Sequence, residues 1–230
     1  MPSANRRKPL SSSTPRKLSK RGAETEQKFL DAANDVFWAN GFAGAKIAQI
    51  ITAGGLSVGS FYHLFADKSE LLDLATEGLL ADFDKNFEAL DLSRKANADV
   101  FTMLYRLTYT GRLLIARHRG ISRATAELAQ NDFKGFGPMQ NFAPAVVRAV
   151  SDALPGYSEQ LPDHPRSKNT QYAVQLVTMS ALQTELGMGP LYPQDVGEFS
   201  KVIARAACGI LGYKGQTDAP SVDIHAGDAS

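Results

Sequence analysis

Apolar residues recur at helical spacing from Phe29 to about residue 212. Nowhere do apolar and polar residues alternate with period two for long enough to build a strand. That pattern restricts the chain to an all-α fold. The first stripe, Phe29, Ala32, Ala33, Val36 and Phe37, stops at Asn40-Gly41 and predicts a helix over Thr25–Asn40. A short helix over Lys46–Ala53 ends at Gly54-Gly55, and Ser57 is placed to cap a third helix running to Phe65. A longer helix follows over Lys68–Leu90. Further helices are expected at about 97–117, 121–131, 138–154, 168–187 and 194–212, with breaks at Gly120, Gly135 to Pro138, Pro155-Gly156, Pro162 to Pro165 and Gly187 to Pro193.

Charge divides the chain where periodicity does not. The net charge is only +1, yet residues 1–68 hold ten Lys/Arg against five acids, a net of +5, so the remainder carries −4. A basic first third on an acidic chain points that third toward an anionic partner, nucleic acid or a membrane surface, the plainer alternative being a solubilising tail. Residues 1–22 combine three prolines, a Ser/Thr run and seven of the basic residues without periodicity, and read as a disordered basic arm. From about Lys214 the chain turns polar again, so 214–230 reads as a flexible tail.

With 43% hydrophobic and 21% charged residues, neither disorder throughout nor a fibrous repeat fits. No apolar run is long enough to span a bilayer and no apolar segment follows the N-terminal basic residues, so a cytoplasmic location is expected. Cys208 is the only cysteine, which excludes an internal disulfide and suits a core position in a reducing compartment. The four histidines, His63, His118, His164 and His225, show no metal-ligand spacing. No phosphate-binding glycine loop is present, and neither metal nor cofactor is expected.

The informative stretch runs from Gly41 to Leu72: Gly41-Phe42, Ile47-Ala48-Gln49-Ile50, Gly55-Leu56-Ser57-Val58-Gly59-Ser60-Phe61-Tyr62-His63-Leu64-Phe65, and Asp67-Lys68-Ser69-Glu70-Leu71-Leu72. Three short helices joined by a tight glycine turn can form a small core that presents the third helix to a DNA major groove. On that helix Phe61, Leu64 and Phe65 fall on the core side, leaving Val58, Gly59, Ser60, Tyr62 and His63 outward. Gly59 allows close approach of a duplex, Ser60 can bond phosphate or base, and Tyr62 and His63 can donate to phosphate. The plainer readings are Tyr62 as a lid on the small core and His63 as a solvated surface group.

The same residues resemble the N-terminal domain of the TetR (tetracycline-repressor-like) family. Two positions depart from its pattern: Ala45, where a Thr or Ser cap is usual, and Gly54, where Ala is typical. The resemblance implies a DNA-binding domain over 23–68, with Lys46, Ser57, Val58, Gly59, Ser60, Tyr62, His63 and Lys68 at the DNA. It also implies a helical effector-binding and dimerisation domain over 69–213 that forms a homodimer through about 168–187 and 194–212. The function implied is a one-component regulator, a repressor released from its operator by a small ligand. Phe101, Tyr105, Tyr109, Phe133, Phe136, Phe142 and Met179 supply the aromatic and thioether surface an apolar effector would meet, with ordinary core packing as the alternative. A competing pattern is Gly55-Leu56-Ser57-Val58-Gly59, which satisfies G-x-S-x-G and would make Ser57 an α/β-hydrolase nucleophile. That elbow must follow a buried strand, and the residues before it read as a helix, so an enzyme is not expected.

Overall fold

A computed structural model describes residues 18–131, 142–162, 167–186 and 195–217, and among these there is no strand. The order is α1 (Lys20–Gly44), α2 (Ile47–Gly54), α3 (Val58–Leu64), α4 (Lys68–Ala89), α5 (Val100–Arg117), α6 (Arg119–Asn131), α7 (Phe142–Ala153), a 3₁₀ segment (Leu154–Gln160), α8 (Ser167–Glu185) and α9 (Val196–Leu211). The all-α expectation holds, with an N-terminal helix-turn-helix followed by a larger helical body.

Helix α1 starts five residues earlier than its apolar stripe suggests. The Ser19 hydroxyl accepts the Gly22 N–H at 3.2 Å and caps it, so Lys20, Arg21 and Gly22, read from sequence as arm, form its first turn. Residues 1–17 lie outside the described residues. The expected stop at Gly41 is a kink: Gly41 takes φ +69°, and three further residues wind before Ala45. Gly55, at φ +62°, closes α2 in the left-handed conformation glycine favours, and its N–H donates to the Thr52 carbonyl at 3.1 Å.

The small N-terminal core is aromatic. Phe29 of α1 meets Phe61 and Phe65 edge-on, with ring centroids 5.4 and 5.9 Å apart, and all three are buried. Asp67 caps α4 through the Ser69 and Glu70 N–H groups, while Glu70 accepts the Ala66 N–H at 2.7 Å. Asp99 caps α5 and Asp195 caps α9 in the same manner, which moves the start of α5 from the expected 97 to Val100. In the body, α5 packs against α8 and α9, burying Phe101, Leu104, Val174, Phe199 and Ile203.

One expected break is in the wrong place. The chain leaves α5 at His118, and Gly120 lies inside the first turn of α6. A Cβ there would overlap the Asn34 carbonyl of α1, so Gly120 is a point of helix contact and not an interruption.

Candidate nucleic-acid interface

Helix α3 is oriented by its own sequence. The Ser57 hydroxyl accepts the Ser60 N–H at 3.1 Å and lies 2.8 Å from the Ser60 hydroxyl, so Ser57 is the N-cap. The residues before it belong to α2 and the turn after it, so no strand leads into an elbow there and the hydrolase reading of Ser57 loses its structural basis. Phe61 and Leu64 are buried and hold the helix from within. Val58 is 60% and Tyr62 57% exposed, Gly59 and His63 are exposed, and Ser60 is half-buried. The Tyr62 ring stands edge-on to Phe61, with centroids 5.3 Å apart, leaving its outer face to solvent. The inner and outer faces of α3 are thus the ones that helical spacing assigned.

Lys46 is exposed at the start of α2, where its N–H is satisfied by Gln49 Oε1 at 2.8 Å. Ala45 is buried and caps nothing at that end. Lys68 has a structural task that spacing did not reveal. Its ammonium donates to the carbonyls of Phe42 at 2.6 Å and Ala45 at 2.9 Å, and sits 4.6 Å from the centre of the Phe42 ring. It clasps the α1–α2 turn to the start of α4.

Sequence reasoning placed no site on α1, yet its first turns face α3 across an open groove of about 780 Å³. Ser19, Arg21 and Thr25 line one side, and Ser57, Gly59, Ser60 and His63 the other. Hydroxyls, a guanidinium and an imidazole are donors suited to phosphate oxygens. The only sequence signal for the α1 side was the basic character of the first 22 residues.

The expected ligand residues do not form one cluster. Phe101, Tyr105 and Tyr109 run along α5 with successive centroids 6.4 and 6.0 Å apart, and burial pushes the Tyr105 hydroxyl pKa above its ordinary value. Phe142 joins a different group, 4.4 Å from Phe83 and 5.9 Å from Phe87. Met179 is 41% exposed on α8, on the outside of the body with Tyr172 and with Val202 of α9. Phe133 and Phe136 lie outside the described residues. Missed by sequence reasoning was Arg112, buried on α5, which bonds Glu185 of α8 at 3.0 Å and lies 4.6 Å from the ring of Phe199 on α9. It ties three body helices together through one charge.

Residues 29–75 match the model of bacterial regulatory proteins of the tetR family. No curated protein matches the chain. Among solved structures, a TetR-like transcriptional regulator from Rhodococcus sp. RHA1 is similar at 20% identity and a TM-score of 0.59, over 87% of this chain and all of that one. A second Rhodococcus RHA1 protein of the tetR family shares 16% identity with a TM-score of 0.62, over 86% of this chain and all of that one. A candidate fatty acid metabolism regulator from Clostridium perfringens shares 14% identity with a TM-score of 0.56, over 80% of this chain and 96% of its own. Among the described residues, no helix is long and apolar enough to cross a membrane.

Proposed function

We propose that this chain, whose N-terminal domain belongs to the tetR family of bacterial regulatory proteins, is a one-component transcriptional repressor that reads a palindromic operator as a homodimer and leaves it when a small hydrophobic effector binds. The observation that carries the reading is the division of α3. Phe61 and Leu64 lock one face into an aromatic core, and Val58, Gly59, Tyr62 and His63 stand free on the other. Ser57 holds the helix start, Ser60 and His63 border the groove toward α1, and Lys46 flanks the reading helix. A DNA backbone strand lying in that groove would meet Ser19, Arg21 and Thr25 as well, and in the sequence five more basic residues precede Ser19. Lys68 contributes by holding the turn in place.

The dimer forms through α8 and α9. Support comes from Tyr172 and Met179 on α8 and Val202 on α9, large apolar side chains left exposed, and from Gly209 of α9, whose missing side chain faces open space. Met179 therefore belongs to the dimer face and not to the effector site. The effector site is built around Phe101, Tyr105 and Tyr109, and the effector is an apolar molecule such as an acyl chain. The naming of one structural relative as a candidate fatty acid regulator is consistent with that class.

Footprinting on a duplex selected from random DNA tests the binding mode. The expected result is a pair of protections about one helical turn apart, about 34–36 Å centre to centre, from a dimer or a pair of dimers. A single asymmetric protection by a monomer would contradict it.

A further inference from the structure

The DNA-binding head is joined to the body along the chain by α4 and sideways by α6, and the sideways joint is made of exchanged helix caps. Helix ends leave N–H and C=O groups without intrahelical partners, and these are ordinarily satisfied by residues close in sequence. Here they are satisfied across the domain boundary. Asn34 of α1 accepts the N–H groups of Gly120 and Ile121 at 3.0 and 3.2 Å, capping α6, and donates to the Arg117 carbonyl at 3.1 Å, closing α5. In return, Glu127 of α6 accepts the Phe42 and Ala43 N–H groups at 2.7 and 3.0 Å, capping the turn that restarts after the Gly41 kink. Arg123 donates to the Trp38 carbonyl between the two, and the Arg119 guanidinium lies 4.8 Å from the Trp38 ring. The glycines stand where the two sides meet: Gly120 against the Asn34 backbone and Gly41 against the Glu127 carboxylate.

We propose that Asn34 and Glu127 are positioning residues that set the spacing between the two DNA half-sites the dimer accepts. A head held by α4 alone can pivot about that helix. With the caps exchanged, a tilt of the head strips hydrogen bonds from the ends of α5 and α6 and from the restarted turn of α1 at once, so its orientation is fixed. In a two-fold dimer the orientation of each head fixes the distance and angle between the two recognition helices. The inference rests on the DNA-reading role of α3.

The test uses the full chain and a palindromic duplex selected with the parent from random DNA, together with versions having one base pair inserted or removed at the centre. Each change moves the half-sites by about 3.4 Å and about 35° of rotation. The parent loses at least about tenfold in affinity per step, and folded Asn34→Ala and Glu127→Ala variants lose about threefold or less, on the scale of site discrimination in such complexes. Circular dichroism and sedimentation establish that each variant is folded and dimeric. Glu127→Gln keeps the side-chain volume with only one acceptor oxygen, and should give an intermediate penalty; it carries the test should the alanine variants fail to fold. Folded variants that keep the parent's full spacing penalty would overturn the proposal. A parent that selects no palindrome would instead overturn the DNA-reading role itself.

Discussion

Ser57 shows how one side chain can satisfy two sequence patterns and only one structure. Its hydroxyl is committed to the first turn of α3, so Ser57→Ala should cost about 1 kcal/mol. In a chain of this length that corresponds to roughly 2–4 °C in the melting temperature. Ser57→Asp should melt near the parent, because Asp caps as well as Ser does. Equal melting of the Ala variant and the parent would show that the cap contributes nothing, and ester turnover lost in the Asp variant would restore the hydrolase reading. Cys208 makes a second residue-scale statement. It is buried on α9, and burial pushes its thiol up to about 12, because a thiolate there would lose its hydration. In the unfolded chain the thiol ionises first, so the stability held by the neutral buried form is kept below about pH 9 and declines as pH rises beyond it. At pH 8 the native protein should resist a thiol reagent that labels the unfolded chain rapidly, and equal labelling rates would contradict the buried position.

At the scale of elements, features set by near neighbours were legible in the sequence and features set by distant ones were not. The inner and outer faces of α3 were assigned by helical spacing, and its Ser57 cap and the glycine break that ends α2 by residue type at neighbouring positions. Helix boundaries were less legible where the cap was an aspartate outside the apolar stripe, as with Asp99, or a serine among arm-like residues, as with Ser19. Gly120 was read as a break because a glycine that interrupts a helix and a glycine that admits a neighbouring one look alike in sequence; only contact with Asn34, far away along the chain, distinguishes them. The clasp made by Lys68 was hidden for the same reason. Two helix glycines should therefore respond in opposite directions. Gly78→Ala adds a methyl where nothing lies within 4 Å and should stabilise α4 by about 1 kcal/mol, the helix-propensity difference. Gly120→Ala must force α1 and α6 apart and should cost on the order of 1–3 kcal/mol. Denaturant midpoints measure both, and a destabilised Gly78→Ala or an unaffected Gly120→Ala would refute the respective environment.

For the whole molecule, the all-helical pattern anticipated a reading head on a larger helical body, and the fold has that arrangement. The basic excess of the first 68 residues falls in 1–17, outside the described residues, while within 18–68 Lys20, Arg21, Lys28, Lys46 and Lys68 are balanced by five acids. The effector region was the least legible. An aromatic stripe has the same spacing whether it faces a ligand, a core or a partner, and the expected residues divide among α5, the Phe83–Phe87–Phe142 group and the exposed face of α8. The central claim is that sequence is read by the outer face of α3. Parent and a Tyr62→Ala/His63→Ala double variant should be titrated with the selected duplex and with a random duplex at one fixed salt concentration. Both side chains are exposed, so helical content and dimerisation should be unchanged. Tyr62 and His63 hold the outer face of α3 in register against the base edges through their phosphate contacts, a register that specific binding needs and random binding does not. With about 1–3 kcal/mol per base contact that goes out of register and the face presented twice by the dimer, the ratio of specific to random affinity should fall by about a hundredfold or more. A double variant that still prefers the selected duplex as strongly as the parent does would contradict the account.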